Sequence, residues 1–257
     1  MDASGNELFS LCNRTIVVTG GTRGIGAAVS LRLARAGATV IANHVRDEAA
    51  AERLRATAAK ESISITLCRA DLTSERGLAE LDRSLQGCSP QLSGLVHCAA
   101  TGVHRPIEEL TERHFDWTFN LNVRAFFKVI KLLMERFSRG SSIVAISSWG
   151  ALRALPYYSL VGSSKGALEA LARHLAVELA PRGIRVNILT AGAVLTDVWK
   201  TMPNGEARIA EHIRRTPTGR LVTAEEIAYG VQFLCSDASA GVVGHTLVLD
   251  RGAGVMA

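Results

Sequence analysis

The stretch R-T-I-V-V-T-G-G-T-R-G-I-G-A-A-V-S-L-R-L-A-R-A-G, residues 14–37, decides how the chain folds. Residues 14–19 form a short apolar run rich in β-branched side chains, the pattern of a strand buried on both faces. The last part carries apolar residues at helical spacing and stops at Gly37, a residue suited to a helix C-cap. Between them lies a glycine-rich turn. Gly20 permits the tight turn, Gly24 lets the backbone approach a phosphate, and Gly26 lets the helix pack close to the sheet. The helix N-terminus behind such a turn presents free amides to a pyrophosphate. The spacing is G-x-x-x-G-x-G, and its place in a first strand–turn–helix unit predicts a nucleotide-binding loop.

Working outward, the same alternation repeats. Strands are expected at 39–43, 64–72, 92–100, 142–148, 184–190 and 245–250, and helices at 47–60, 74–86, 111–137, 157–180 and 223–235. Strands separated by helices of about ten residues or more define βαβ units and a parallel sheet. Right-handed crossovers then cover both faces with helices. The expectation is an α/β fold: one domain over residues 1–257, built on a doubly wound (Rossmann) sheet of about seven strands. Residues 194–222 are polar and irregular, and with Trp199 and Met202 they are read as a substrate lid.

Composition narrows the function. The 257 residues carry a formal charge of +5, but Lys and Arg are scattered and aromatics make up only 5%. Nucleic-acid binding wants basic residues clustered on one face with aromatics between them. Five cysteines, Cys12, Cys68, Cys88, Cys98 and Cys235, are odd in number and contain no C-x-x-C pair. That argues against a disulfide framework or zinc site and for a reducing compartment. The N-terminus lacks a basic region followed by an apolar core, and no apolar run reaches the roughly 18 residues of a membrane span. A cytoplasmic protein is expected.

The end of the second strand selects between dinucleotides. Its residues are Ala42, Asn43, His44, Val45 and Arg46, with no acid before Asp47. An acid there would bind a ribose 2′-hydroxyl. Arg46, with Arg23 of the glycine loop, suits a 2′-phosphate instead, so NADPH is the expected cofactor. The plain alternative for Arg46 is a solvated helix start. Asp71, ending the third strand, either accepts from an adenine amino group or caps the next turn. Further along, S-S-W-G-A-L-R-A-L-P-Y-Y-S-L-V-G-S-S-K (147–165) gathers hydroxyls, a tyrosine pair and a lysine. A lysine ammonium beside a phenol lowers its pKa, and such a pair can donate to a developing oxyanion.

Together T-G-G-T-R-G-I-G (19–26), Asp71-Leu72, Asn122, I-S-S (146–148), Lys165 and A-V-E-L-A-P-R-G-I-R-V-N (176–187) resemble the short-chain dehydrogenase/reductase superfamily over nearly the whole chain. In that family a serine, a tyrosine and a lysine do the chemistry, and the tyrosine stands four residues before the lysine. Here that position is Val161. Tyr158 stands seven before Lys165, a spacing that resembles the enoyl-acyl-carrier-protein reductases. The ordinary glycine loop resembles their type III, as do C-A-A-T-G-V-H-R-P-I-E-E-L (98–110), H-F-D-W-T-F-N-L-N (114–122) and A-G-A-V-L-T-D (191–197). Departures are His97 and Cys98 in place of the usual asparagines, and Arg251 in place of a glycine.

The resemblance implies Tyr158, Lys165 and Ser148 as catalytic residues, with a structural hydroxyl as the alternative for Ser148, whose usual partner tyrosine has moved. It implies a cofactor site of Gly20, Thr22, Arg23, Gly24, Ile25, Gly26, Asn43, Arg46, Asp71, Leu72, Ala99, Ala100, Asn122, Lys165, Gly192, Val194 and Thr196, with no metal. It further implies a homotetramer and a trans-2-enoyl thioester substrate, carried on acyl carrier protein. Offsets of four and seven share one helical face, so Tyr158 is expected about one turn along from the usual donor. In conjugate reduction the oxygen gaining charge lies two carbons beyond the hydride acceptor, which suits a displaced donor. Arg208, Arg214, Arg215 and Arg220 are candidates to meet an acidic carrier, with a solvated face as the plainer reading. Two alternatives stay open: a 3-oxoacyl or other carbonyl reductase using Tyr157 or Tyr158, and a non-catalytic NADP-binding relative.

Overall fold

The structure, a computed structural model, describes residues 7–87, 91–196, 199 and 204–256. Cys88, Asp197 and Met202 lie outside the described residues. Strands β1 (Thr15–Thr19), β2 (Thr39–His44), β3 (Ile65–Arg69), β4 (Leu92–His97), β5 (Phe137–Ser148), β6 (Arg185–Ala191) and β7 (Thr246–Leu249) form one sheet. Its order is β3-β2-β1-β4-β5-β6-β7, with parallel pairing throughout. The helices are α1 (Gly24–Arg35), α2 (Glu48–Glu61), α3 (Glu75–Gln86), α4 (Glu112–Phe119), α5 (Ala125–Leu133), α6 (Ser159–Leu179), α7 (Gly205–Arg214) and α8 (Ala224–Cys235).

Alternation along each strand feeds two cores. Ile16 and Val18 of β1 join α1 and α8 through Val29, Leu33, Val231 and Leu234. Val17, between them, joins α3, α5 and α6 through Leu81, Phe126 and Leu168. All five residues of β1 are buried, as a strand covered on both sides requires. Strand order reverses between β1 and β4, so the crossovers that follow these two strands run to opposite sides and leave a crevice at their carboxyl ends. The candidate site residues gather around that crevice.

Four expectations need correction. The helix expected over 111–137 is α4 and α5 joined by a π-helical turn at Asn120–Arg124, and it ends at Leu133 before a 3₁₀ turn. Strand β5 begins five residues earlier than expected, at Phe137. Helix α6 starts at Ser159, not at residue 157: Tyr157 is left-handed at φ 61° and Tyr158 is the N-cap. The 194–222 segment is not wholly irregular, since it contains α7.

Candidate active site

The glycine loop is fixed by what its missing side chains allow. A Cβ on Gly26 would lie 2.0 Å from the Gly20 carbonyl oxygen, and one on Gly20 would lie 2.9 Å from the Ala99 Cα. The first contact seats the start of α1 on the loop, and the second joins the loops after β1 and β4. Gly24 is different: its φ is +53°, and the nearest atom to an added Cβ is Thr196 Cγ2 at 3.7 Å. It faces open space across the crevice. Arg23 precedes α1 in an extended conformation, and no side chain caps the helix and no acid enters its first turn. Its amides and partial positive charge are therefore open to an anion. These features fit the pyrophosphate of a dinucleotide.

The other expected cofactor residues surround this loop. Thr22 and Leu72 are buried and Ile25 is half-buried. Asn43 is buried and works as a brace: its Nδ2 donates to the Ala70 carbonyl at 2.9 Å, and its Oδ1 faces the Gly20 amide at 3.4 Å. Arg46 and Arg23 are exposed, each beside the crevice end of its element. Asp47 caps α2 by accepting from the Ala50 amide at 2.9 Å. Asp71 accepts from the Thr73 amide at 3.0 Å and the Thr73 hydroxyl at 2.7 Å. Across the crevice Gly192 packs on Asp250, where a Cβ would come within 2.8 Å, and Val194 bridges to Val222.

The π turn places Asn122 at the centre of a clamp. Its Oδ1 accepts from the Thr101 amide at 2.8 Å, and its Nδ2 donates to the Thr101 carbonyl and to Ser164 Oγ, both at 2.9 Å. The loop Ala99–Ala100–Thr101 is thus pinned to α6. π turns of this kind recur at functional sites, and no residue pattern in 111–137 announces one. Beneath the loop, His97 is fully buried, with Nδ1 2.9 Å from Thr19 Oγ1 and Nε2 unbonded. Burial, then the nearby Lys165 cation, pushes its pKa down to about 3. The Cys98 thiol is pushed up to about 12 by burial. Both groups are neutral at ordinary pH.

Ser148, at the end of β5, lies 3.3 Å from the Tyr158 hydroxyl. Lys165 is buried and donates to the Ile146 carbonyl at 2.7 Å. Burial lowers its pKa to about 8, opposed by Cys98 and Glu169. The expectation that Lys165 acidifies Tyr158 is corrected: the Tyr158 pKa is raised by burial, and the opposing influence is the Ser148 hydrogen bond. Tyr158 is therefore a neutral phenol, fit to donate a hydrogen bond. Nor is it one turn along the same helix. It reaches Ser148 from the turn ahead of α6, because the left-handed Tyr157 redirects the chain.

The Tyr158 ring is boxed in. A Cβ on Gly150 would come within 2.4 Å of it, and the His104 ring lies against it, tilted by 38°, at 5.3 Å between centroids. Val161 is buried against Gly102, where an added Cβ would meet Val161 Cγ2 at 2.1 Å. A cavity of about 500 Å³ opens above Tyr158, lined by Arg105, Pro106, Ile107, Leu152, Leu155 and Tyr157 among others. From helix α7, the Arg208 guanidinium lies over the ring of Tyr157, one of the lining residues, at 5.5 Å. Trp199 Nε1 donates to the Val194 carbonyl at 2.7 Å. Sequence reasoning missed His104, Ser164 and Glu169, whose contacts with Tyr158, Asn122, and Ser147 and Thr190 join segments distant in sequence.

Residues 20–254 match the family described as Enoyl-(Acyl carrier protein) reductase. A 1-cyclohexenylcarbonyl-CoA reductase from Streptomyces collinus is 32% identical over 94% of this chain and 87% of its own. The hydroxynaphthalene reductase-like protein Arp2 of Metarhizium majus is also 32% identical, over 98% of this chain and 99% of its own. Among solved structures, a dehydrogenase/reductase from Sinorhizobium meliloti superposes with a TM-score of 0.91 at 32% identity, covering 98% and 99% of the two chains. The fold and site define an oxidoreductase of the short-chain dehydrogenase/reductase superfamily. Within it, the chain belongs to the enoyl-(acyl carrier protein) reductase family.

Proposed function

We propose that this protein reduces the carbon–carbon double bond of a 2-enoyl thioester with NADPH. The observation that carries it is the displacement of the phenol: buried Val161 fills the usual position, packed against Gly102, and the hydroxyl comes instead from Tyr158 at the N-cap of α6. Bound NADPH supplies the hydride. Tyr158 donates a hydrogen bond to the thioester oxygen as that oxygen gains charge, burial keeps the phenol protonated for this task, and a proton delivered from solvent to the α-carbon completes the reduction. Such a donor acts strongly because water is largely excluded around it. Lys165 holds the nicotinamide ribose and adds positive potential beneath the site. Ser148 orients the Tyr158 hydroxyl. Asn122 keeps the Thr101 loop fixed while the substrate enters.

Several observations support the details. The S. collinus relative is named for a thioester whose ring alkene is conjugated to the carbonyl. For the cofactor, Asp47 is occupied as a helix cap, which leaves Arg46 and Arg23 as the charged side chains at the ribose end. A structure from Beutenbergia cavernae, assigned as an NAD(P)-dependent gluconate 5-dehydrogenase, holds NADP at low occupancy and matches at 31% identity with a TM-score of 0.88. For the carrier, Arg214 and Arg215 pair with Glu211, and Arg220 with Glu226, so Arg208 is the better candidate to meet an acidic carrier protein.

The setting we propose is acyl-chain biosynthesis in the cytoplasm. No described helix is long and apolar enough to cross a membrane. A homotetramer is proposed as well, since Phe115, Trp117, Phe127 and Val177 leave large apolar side chains exposed on α4, α5 and α6; light scattering tests it.

One observation favours a second reading. The Ser148–Tyr158 pair reproduces a serine–tyrosine contact, which suits reduction of a 3-oxoacyl carbonyl. The deciding experiment measures oxidation of NADPH and NADH with enoyl thioesters of graded length and with acetoacetyl thioester. Turnover of crotonyl but not acetoacetyl thioester supports enoyl reduction. The reverse replaces it with carbonyl reduction.

A further inference from the structure

Helix α6 buries two opposite charges one turn apart. Lys165 is 5% exposed and Glu169 is 2% exposed, and both lie in the stripe that packs on the sheet. Residues four apart on a helix stand about 5–6 Å from each other at their Cβ atoms. A buried carboxylate needs hydrogen bonds and a partner to be tolerated. Glu169 has both. Ser147 Oγ donates to its Oε1 at 2.6 Å, and Thr190 Oγ1 donates to the same oxygen at 3.2 Å. Ser147 and Thr190 are register partners on β5 and β6, so two adjacent strands aim their hydroxyls at one carboxylate. Arg173, one turn further on and half exposed, lies 3.7 Å from Oε2.

Each element facing Lys165 contributes one group. From β4 and the loop after it come His97 and Cys98, neutral as described above. From β5 comes the Ile146 carbonyl. From its own helix comes Glu169. Tyr158, ahead of the helix, is a neutral phenol. Glu169 is thus the negative charge among the described residues around Lys165.

We propose that Glu169 is a positioning residue for Lys165: its carboxylate, fixed by Ser147, Thr190 and Arg173, is the countercharge that keeps the Lys165 ammonium charged in a site stripped of water. The inference rests on Lys165 serving the reaction, and its test needs no substrate. Lys165 is one of five lysines in the chain. Its titration is followed by NMR of 13Cε,15Nζ-labelled lysine in the cofactor-free protein, assigned by the signal missing in Lys165→Met. The wild type should half-titrate near pH 8. Glu169→Gln keeps an acceptor for the two hydroxyls but removes the charge. Lys165 should then lose roughly tenfold in proton affinity, and the alkaline limb of NADPH binding, read by fluorescence, should move down with it. Glu169→Asp, which keeps the charge, should restore both. Arg173→Leu removes the cation that offsets Glu169, and should shift Lys165 the opposite way. Arg173 is exposed enough for that variant to fold, so it decides the matter if Glu169→Gln does not. An unshifted Lys165 in either folded variant overturns the proposal and leaves Glu169 as an anchor of α6 to the sheet. A failed enoyl assay with shifted titrations would count against the proposed substrate alone.

Discussion

The glycine loop and the tyrosine turn both build the site by placing backbone in the left-handed region, yet they do so in opposite ways. In the loop, Gly20 and Gly24 adopt φ values of +61° and +53° without a side chain to strain. In the turn, Tyr157 adopts φ 61° with a full aromatic ring, half exposed and held under Arg208. The loop needs space for a ligand, so glycine serves. The turn needs a side chain aimed at Ser148 from the next residue, so the chain carries a strained tyrosine that the Arg208 contact helps hold. One region states its purpose in residue identities. The other reaches it through packing.

The largest expected effect would break the loop side of this contrast. Gly26→Val would drive a side chain into the Gly20 carbonyl, 2.0 Å from even the first carbon. It should abolish NADPH binding in calorimetry and lower the melting temperature. Gly24→Val meets no such atom but forces a β-branched residue to φ +53°, so it should abolish binding with circular dichroism retained and a smaller loss of melting temperature than Gly26→Val. Retained binding in Gly24→Val would mean that the loop does not approach a phosphate there.

On the turn side, Tyr158→Phe should reduce kcat on an enoyl thioester by about 10²–10³, the usual loss for one oxyanion donor. NADPH affinity and melting should hold, because the ring packed on Gly150 and His104 is kept. Tyr157→Phe should be nearly silent. If Tyr157→Phe is the dead variant, the two tyrosines have been assigned in the wrong order.

Acid stability probes the buried floor that joins the two regions. His97 is held near pKa 3 in the folded protein against an ordinary value of 6.5. The unfolded chain therefore binds one more proton below about pH 6.5, and stability should be complete above that pH. It should fall by about 1.4 kcal/mol per pH unit as the pH drops toward 3. Near pH 4.5 that is roughly a hundredfold in the folding equilibrium. His97→Asn should flatten this slope in urea unfolding between pH 6.5 and 4. An unchanged slope would place the acid sensitivity elsewhere.

Smaller still is the effect of Arg46→Ala. Losing one charged contact to a phosphate costs about 1.5–3 kcal/mol, so the KM for NADPH should rise roughly tenfold or more while that for NADH barely moves. Equal use of both cofactors by the unaltered protein would end the case for Arg46. Smallest, Tyr157→Asn should relieve part of the left-handed strain, worth about 1 kcal/mol, against the loss of the Arg208 contact. A net change beyond about 1 kcal/mol in either direction would mean the turn is not balanced between the two.

Arg251 repeats the turn's lesson at the end of the chain. A glycine is usual there, and Arg251 indeed sits at φ 56°. Its guanidinium is tied to Glu226 of α8, with Nε 3.1 Å from Oε2. The strain of a non-glycine residue is thus offset by an ion pair that no local pattern announces.

What the sequence alone determined was whatever depends on neighbours along the chain. Strand–helix alternation set the doubly wound sheet, the spacing of Gly20, Gly24 and Gly26 set the loop, and the seven-residue step from Tyr158 to Lys165 singled out the branch of the superfamily. Tertiary structure decided the rest. Tyr158 as the N-cap rather than a helical residue, its raised rather than lowered pKa, the π turn that lets Asn122 grip Thr101, and the convergence of Ser147 and Thr190 on Glu169 all depend on contacts between segments far apart in sequence. The physical reason is that burial governs these features. Whether a phenol or an ammonium loses its water, and which charge then faces it, is settled by the elements packed around it.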